Sequence, residues 1–209
     1  ETPSQNFKAV TYEGTSNTNE VKDVGFQGDL IWIKAMDKSD GGHYHHLLDS
    51  VRGMDSGFYK TLYSNTTEKE NQHVPSERGG VTELLADGFK LQKGSSNDHF
   101  LNASGYNYVA WSWKAGGSDA DFMKDGKEDT SIATGGTITP SKMSVNTQAG
   151  FSIVKYTGGG DGTVPHGLNK KPDVVIIKKI SGSHSWVVSH NAYGDDRGFM
   201  NLENSNALN

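Results

Sequence analysis

The chain has no cysteine, so neither a disulfide framework nor a thiolate metal site can be built from it. Hydrophobic residues make up only 33% of the 209, and no run of apolar residues is long enough to span a bilayer as a helix. Basic residues are fewer than acidic ones, 20 against 25, and form no block. The formal net charge of -5 therefore lacks the electrostatic footprint of a nucleic-acid binder. Neither nucleic acid nor membrane insertion is expected. Two hydrolase signatures, GxSxG and HExxH, are also missing.

What remains is 26 glycines, many Asn, Ser and Thr, and an aromatic content of 10%. A composition this poor in apolar residues belongs to a disordered chain or to a turn-rich β protein. Short, regularly spaced apolar runs favour the β protein. Residues 7–12 alternate, with Phe7, Ala9 and Thr11 on one face and Lys8, Val10 and Tyr12 on the other. Leu30 to Ile33 and Val174 to Ile177 are apolar on both faces, as expected of central strands covered on both sides. Tyr106 to Trp113 alternates most clearly. Asp87-Gly88 signals a tight turn. No segment supplies the crossover helices a parallel sheet needs, so the expected fold is an all-β antiparallel sandwich of jelly-roll or lectin-like type.

The chain also echoes itself. At one constant offset Phe7 meets Phe151, Val10 meets Val154, Tyr12 meets Tyr156, Gly14 meets Gly158, Asp29 meets Asp173, Ile33 meets Ile177 and Lys34 meets Lys178. Arg52-Gly53 meets Arg197-Gly198 after one further residue. Matches in register over two strands and their loop imply an internal repeat. The expected division is a first sandwich at 1–114, a Gly/Asp/Thr-rich linker at 115–143, and the N-terminal part of a second copy at 144–209. Counterparts of the ADGFKLQ and YNYVAWSWK segments are missing from the second copy, so the expectation is a piece of a longer polypeptide.

Several clusters invite a chemical reading. His43 and His45, in the run GGHYHH, would share a strand face and offer two imidazoles to a transition metal; a polar, His-rich loop is the simpler reading. Asp119, Asp121 and Asp125 crowd a Gly-containing stretch and could give calcium its hard oxygen ligands, but their order does not match an EF-hand, and a solvated acidic linker is the simpler reading. No other cofactor is expected. The Gly158-Gly159-Gly160-Asp161-Gly162 run lacks the Lys-Ser/Thr and the helix of a phosphate loop, and reads as a hairpin tip. Trp111 and Trp113 share a face that would suit stacking on sugar rings, but with Val109 beside them the sandwich core is the simpler reading. Tyr106 and Tyr108 on the other face, and Trp186, are further aromatic ligand candidates. Asp29, Arg52, Asp173 and Arg197 recur across the two halves, and an Arg–carboxylate fork pinning a loop to a strand end would account for them as structural residues. A site present in both halves is more naturally architectural, and no enzyme activity is expected. The paired carboxylates of a glycosidase are the one catalytic arrangement whose members can lie far apart in sequence.

Taken in order, FxxVxYxG, GFxxDLIWIK, LLDSVRG, ADGFKL, YVAWSWKAGG, NxxAGFSIVKYTGGG and VPHGLNKKPDVVIIK resemble a repeated domain of unknown function found in tail fibre and other virion proteins of tailed bacteriophages. The resemblance covers nearly the whole chain. It departs at Gly28, where that family often has proline before the aspartate, and at HYHH, where a single His is usual. It implies a structural or attachment role in a virion, assembly made in the host cytoplasm, other virion proteins as partners, and a homotrimer on a host-surface glycan or receptor. A fibre-borne polysaccharide depolymerase and a capsid decoration protein are the alternatives. No catalytic residue comes with it. Loops at 15–20, 37–45, 115–135 and 158–166 are the expected contact tips, carried on sheets that do not need them for stability.

Overall fold

The computed structural model describes residues 2–37, 44–96 and 100–191. In chain order its strands are β1 (Phe7–Glu13), β2 (Asn19–Val21), β3 (Leu30–Ala35), β4 (His46–Asp49), β5 (Met54–Asp55), β6 (Phe58–Tyr59), β7 (Thr61–Tyr63), β8 (Gly80–Leu85) and β9 (Gly88–Gln92). They continue with β10 (Asn107–Trp113), β11 (Phe122–Lys124), β12 (Lys127–Glu128), β13 (Lys142–Asn146), β14 (Phe151–Lys155), β15 (Val174–Ile177) and β16 (Val187–His190). Among the described residues the only α-helix is the single turn α1 (Pro75–Arg78), and no helix is long and apolar enough to cross a membrane. The chain is all-β, as its composition and periodicity imply.

Two sheets press together in the first half. One has five antiparallel strands in the order β1-β10-β3-β4-β7, and the other has three, β2-β9-β8. Strand alternation sends Ile31, Ile33, Leu48, Tyr108 and Ala110 inward from the large sheet to meet Val21, Val81, Phe89 and Leu91 from the small one. Each large side chain buried there contributes about 1.5–3 kcal/mol. Val10 and Tyr12 close the β1 end, with the Tyr12 hydroxyl donating to the Leu101 carbonyl at 2.8 Å. Burial, with Tyr108 alongside, raises the Tyr12 phenol pKa well above its ordinary value.

The β8–β9 hairpin turns at Ala86-Asp87, and Gly88 follows with φ +134°. A Cβ at Gly88 would stand 2.0 Å from the Val21 carbonyl oxygen, on the neighbouring β2. Glycine is therefore required both by conformation and by close approach. Gly88→Ala should cost more than about 1 kcal/mol, read as a lowered denaturation midpoint, because β9 must move away from β2.

Residues 115–143, expected to be a linker, are built into a third sheet of order β12-β11-β13-β14. Its β11–β13 pair is parallel, an exception to the antiparallel rule of the rest. The crossover carries β12 and a 3₁₀ turn at Thr130–Ala133, whose Ile132 packs on Met143 and Val145. These few scattered apolar residues suffice for a small core without showing a period, which is why the stretch reads as linker in sequence. The 115–135 segment is accordingly sheet and turn, not a loop tip.

β15 and β16 form a separate two-stranded ribbon. The expectation that Val174 to Ile177 is covered on both sides is not met: the four residues are 38–49% exposed, and among the described residues β15 pairs only with β16. The ribbon is anchored from its connecting loop. Trp186 is buried against Leu47, Leu62, Trp32 and Ile180, the Glu70 amide donates to the Ile180 carbonyl at 3.1 Å, and the Lys178 ammonium donates to the Thr67 carbonyl at 3.1 Å. β1 and β14, which echo each other in sequence, pair with different strands, β10 and β13.

Candidate functional site

β10 decides which aromatic residues are accessible. Its inward row is Tyr108, Ala110 and Ser112, all fully buried. Val109, Trp111 and Trp113 therefore occupy the outer face of the five-stranded sheet, and all three are half-buried. This reverses the assignment of the tryptophan face to the sandwich core. The physical reason is register: Tyr108, Ala110 and Ser112 pair with Ala35, Ile33 and Ile31 of β3, which pack on the three-stranded sheet, so the row out of phase with them, indoles included, lies on the other face.

On that outer face the strand register assembles a row. Trp111 is directly opposite Trp32 in the β10–β3 pairing, and their rings lie 6.2 Å apart at 75°. Phe7 is opposite Trp113, with ring centroids at 4.9 Å, and Phe151 of β14 stacks on the far side of Trp113 at 6.4 Å. Beyond Trp32 stands His45, edge-on at 5.9 Å, whose Nδ1 accepts the Trp32 indole N–H at 3.1 Å. Phe7 is 39% exposed. The row is a ridge of aromatic faces and edges fixed by sheet pairing, of the kind that meets sugar rings or apolar protein surface. Sequence reading missed Trp32, Phe7 and Phe151. Each lies far from Trp111 in the chain, and only the strand register brings them together.

The remaining candidates have other tasks. Tyr108 is a core residue; its hydroxyl accepts the Ala103 amide at 2.9 Å, and burial pushes its pKa up to about 12. Tyr106 packs against the same core. Trp186, only 4% exposed, donates its indole N–H to the carbonyls of Tyr63 at 2.9 Å and Thr66 at 3.1 Å, so it is a structural anchor and not a ligand platform.

The metal readings also lose their geometry. His45 Nδ1 is occupied by Trp32, and burial, with Lys34 nearby, lowers its pKa. His43 lies outside the described residues. Asp125 commits its two oxygens to the amide and hydroxyl of Thr147, at 2.7 and 2.6 Å, and Asp121 faces Lys142 at 3.7 Å. Among the described residues no three carboxylates or imidazoles converge on one point.

The three structural candidates among the described residues fall in three places. Arg52 is buried, with Nε 2.5 Å from Asp49 Oδ2, Nη1 3.3 Å from Glu70 Oε1 and Nη2 donating to the Leu47 carbonyl at 2.9 Å. Asp29 does not join this cluster. It is 1% exposed and accepts the Ser50 hydroxyl at 2.9 Å on one oxygen, and the amides of Ala115 at 2.7 Å and Gly117 at 3.3 Å on the other. Burial raises its pKa, partly offset by these hydrogen bonds. Asp173 is exposed and accepts from the Asn191 side chain. Arg197 lies outside the described residues.

Beside Asp29 runs a groove of about 320 Å³, lined in part by Asn6, Lys114, Asp119, Asp125, Asn146 and Gln148. Of its carboxylates, Asp29 accepts three donors and Asp125 two. The arrangement suits holding the 115–117 turn against Ser144, whose hydroxyl accepts the Gly116 amide at 2.9 Å and donates to the Gly117 carbonyl at 2.7 Å.

A family model described as a domain of unknown function (DUF7483) matches residues 2–209. No curated protein and no solved structure matches the chain.

Proposed function

The chain belongs to the DUF7483 family, and we propose that it is a non-enzymatic structural module of a bacteriophage virion, a segment of a tail fibre or similar appendage, that contributes to attachment at the host surface. The observation that carries this reading is the aromatic ridge Phe7, Trp113, Trp111 and Trp32, held half-open on the outer face of a rigid five-stranded sheet. Aromatic faces on a preorganised surface bind sugar rings or apolar protein at little conformational cost. The motif resemblance to repeated virion domains supplies the setting. Binding by one module is weak, and several copies on a particle, as in a fibre trimer, multiply it. The function needs no cofactor.

The test is a glycan array of bacterial surface polysaccharides probed with the protein and with Trp111→Ala. The expected result is binding to one glycan class, weakened at least tenfold by Trp111→Ala while the thermal midpoint is kept within a few degrees. Binding that Trp111→Ala leaves intact would remove the aromatic ridge from the reading. Shortening of the bound polysaccharide would replace attachment by depolymerase activity. Location of the chain on the capsid shell in a particle map would replace it by a decoration role.

A further inference from the structure

The outer face of the five-stranded sheet carries its side chains in cross-strand rows. Trp113 lies between Phe7 and Leu30, Trp111 between Ala9 and Trp32, and Val109 between Thr11 and Lys34. Lys34 therefore shares a face with Trp32, two residues along β3, and is diagonal to Trp111. Same-face neighbours on one strand are about 7 Å apart, a span within reach of a lysine side chain. The Lys34 ammonium donates to the Ala35 carbonyl at 3.0 Å, which takes one of its three N–H donors. The Trp32 indole is tied to His45 Nδ1 at 3.1 Å, so its ring keeps a fixed orientation beside the lysine. Lys34 and both indoles are half-buried.

Charge near the two tryptophans has one sign. Glu13, the carboxylate that β1 places on this face, is exposed and stands one row beyond Lys34, opposite Asn107. Asp37 commits its carboxylate to the amide and side chain of Asn107, at 2.9 and 2.6 Å. On the β4 side Trp32 packs against the cluster that holds Ile180, which Lys178 and Lys179 precede. Glu70, at the same base, is committed to Arg52 and Lys60. The chain as a whole carries a net charge of -5, a field that does not draw in polyanions. A cation set beside the stacking surface of such a chain discriminates by contact and not by long-range attraction.

We propose that the aromatic ridge selects acidic saccharides: the face of a sugar ring stacks on Trp111 and Trp32, and the carboxylate carried by that ring accepts from the Lys34 ammonium. This rests on the ridge being the attachment surface and adds to it the class of sugar taken. A uronic acid has the right shape, since its carboxylate lies at the ring edge and leaves a face to stack. Stacking is indifferent to charge at the ring edge, so the tryptophans supply affinity and Lys34 supplies the discrimination. An ammonium–carboxylate hydrogen bond is about twice as strong as a neutral one, and the half-buried setting of Lys34 protects it from screening.

The test titrates the full chain calorimetrically with oligosaccharides of polygalacturonate, alginate and hyaluronan, each beside its carboxyl-reduced counterpart. At least one acidic form is expected to bind about tenfold more tightly than its reduced form. Lys34→Gln should abolish that difference by weakening the acidic form alone, and Lys34→Arg should keep it. Raising NaCl from about 0.05 to 0.5 M should narrow the same difference. Trp111→Ala should weaken both forms together. Equal binding of acidic and reduced forms overturns the proposal, and so does a preference that Lys34→Gln leaves intact; the ridge reading survives either result if Trp111→Ala still weakens binding. Binding of no acidic form also overturns it, and a neutral glycan whose binding is lost in Trp111→Ala would then leave the ridge reading in place. Binding that Trp111→Ala does not change removes the ridge reading itself.

Discussion

Arg52→Ala is expected to destabilise the protein by about 3–5 kcal/mol, the range for breaking a buried ion pair from one side. The guanidinium is the hub of a closed arrangement. It meets Asp49 at 2.5 Å and Glu70 at 3.3 Å, and it donates to the Leu47 carbonyl at 2.9 Å, while its own backbone amide donates to Asp49 Oδ1 at 2.7 Å. Asp49 ends β4, and Glu70 belongs to the segment whose amide holds Ile180, so the cluster ties the five-stranded sheet to the β15–β16 ribbon's base. Truncation leaves Asp49 and Glu70 poorly hydrated, with Lys60 at 3.7 Å from Glu70 as the remaining cation among the described residues. Arg52→Lys should recover only part of the loss, because an ammonium cannot reproduce the fork to two acids and a carbonyl. Urea denaturation of the three proteins measures this; a loss under 1 kcal/mol for Arg52→Ala would mean the cluster is solvated and architecturally minor.

Asp29→Ala is expected to cost about 3 kcal/mol, and to loosen the third sheet before the sandwich. The carboxylate is the common acceptor for Ser50, Ala115 and Gly117, and its removal strands two buried amides at the turn where the chain leaves β10. Hydrogen exchange should show faster amide exchange at Ala115 and Gly117 than in the wild type. Unchanged protection at both amides would contradict the role given to Asp29. The pH dependence has a definite sign. Burial raises the folded-state pKa of Asp29 above its unfolded value. Its contribution to stability is therefore fully present below the unfolded pKa and declines as pH rises through the folded one. The margin of wild type over Asp29→Ala should narrow from strongly acid pH towards neutrality, opposite to the trend for an ion-paired surface carboxylate.

Much of the β architecture was legible because its signals are local. Alternation at 7–12 and 106–113, the apolar run at 30–33 and the Asp87-Gly88 turn each depend on a few neighbouring residues, and each lies in a strand or turn of the structure. The failures share a different cause. Alternation shows that Trp111 and Trp113 lie together, but not which side of the sheet receives the opposing layer. An apolar run shows that Val174 to Ile177 can be buried, but not that both faces of β15 are covered. The 115–143 stretch has too few apolar residues to show a period, yet Met123, Ile132 and Met143 are buried all the same. The aromatic ridge depends on register between strands far apart in the chain, which no window of sequence contains.

The amino-acid sequence by itself determined the class of secondary structure and the places where the chain turns, because backbone sterics and short-range periodicity act within a few residues. Tertiary structure alone decided which face of β10 is covered, that Arg52 pairs with Asp49 and Glu70 while Asp29 holds the 115–117 turn, and that β3 is flanked by two strands. Those outcomes depend on which distant surfaces exclude water together, and burial is a property of the assembled layers.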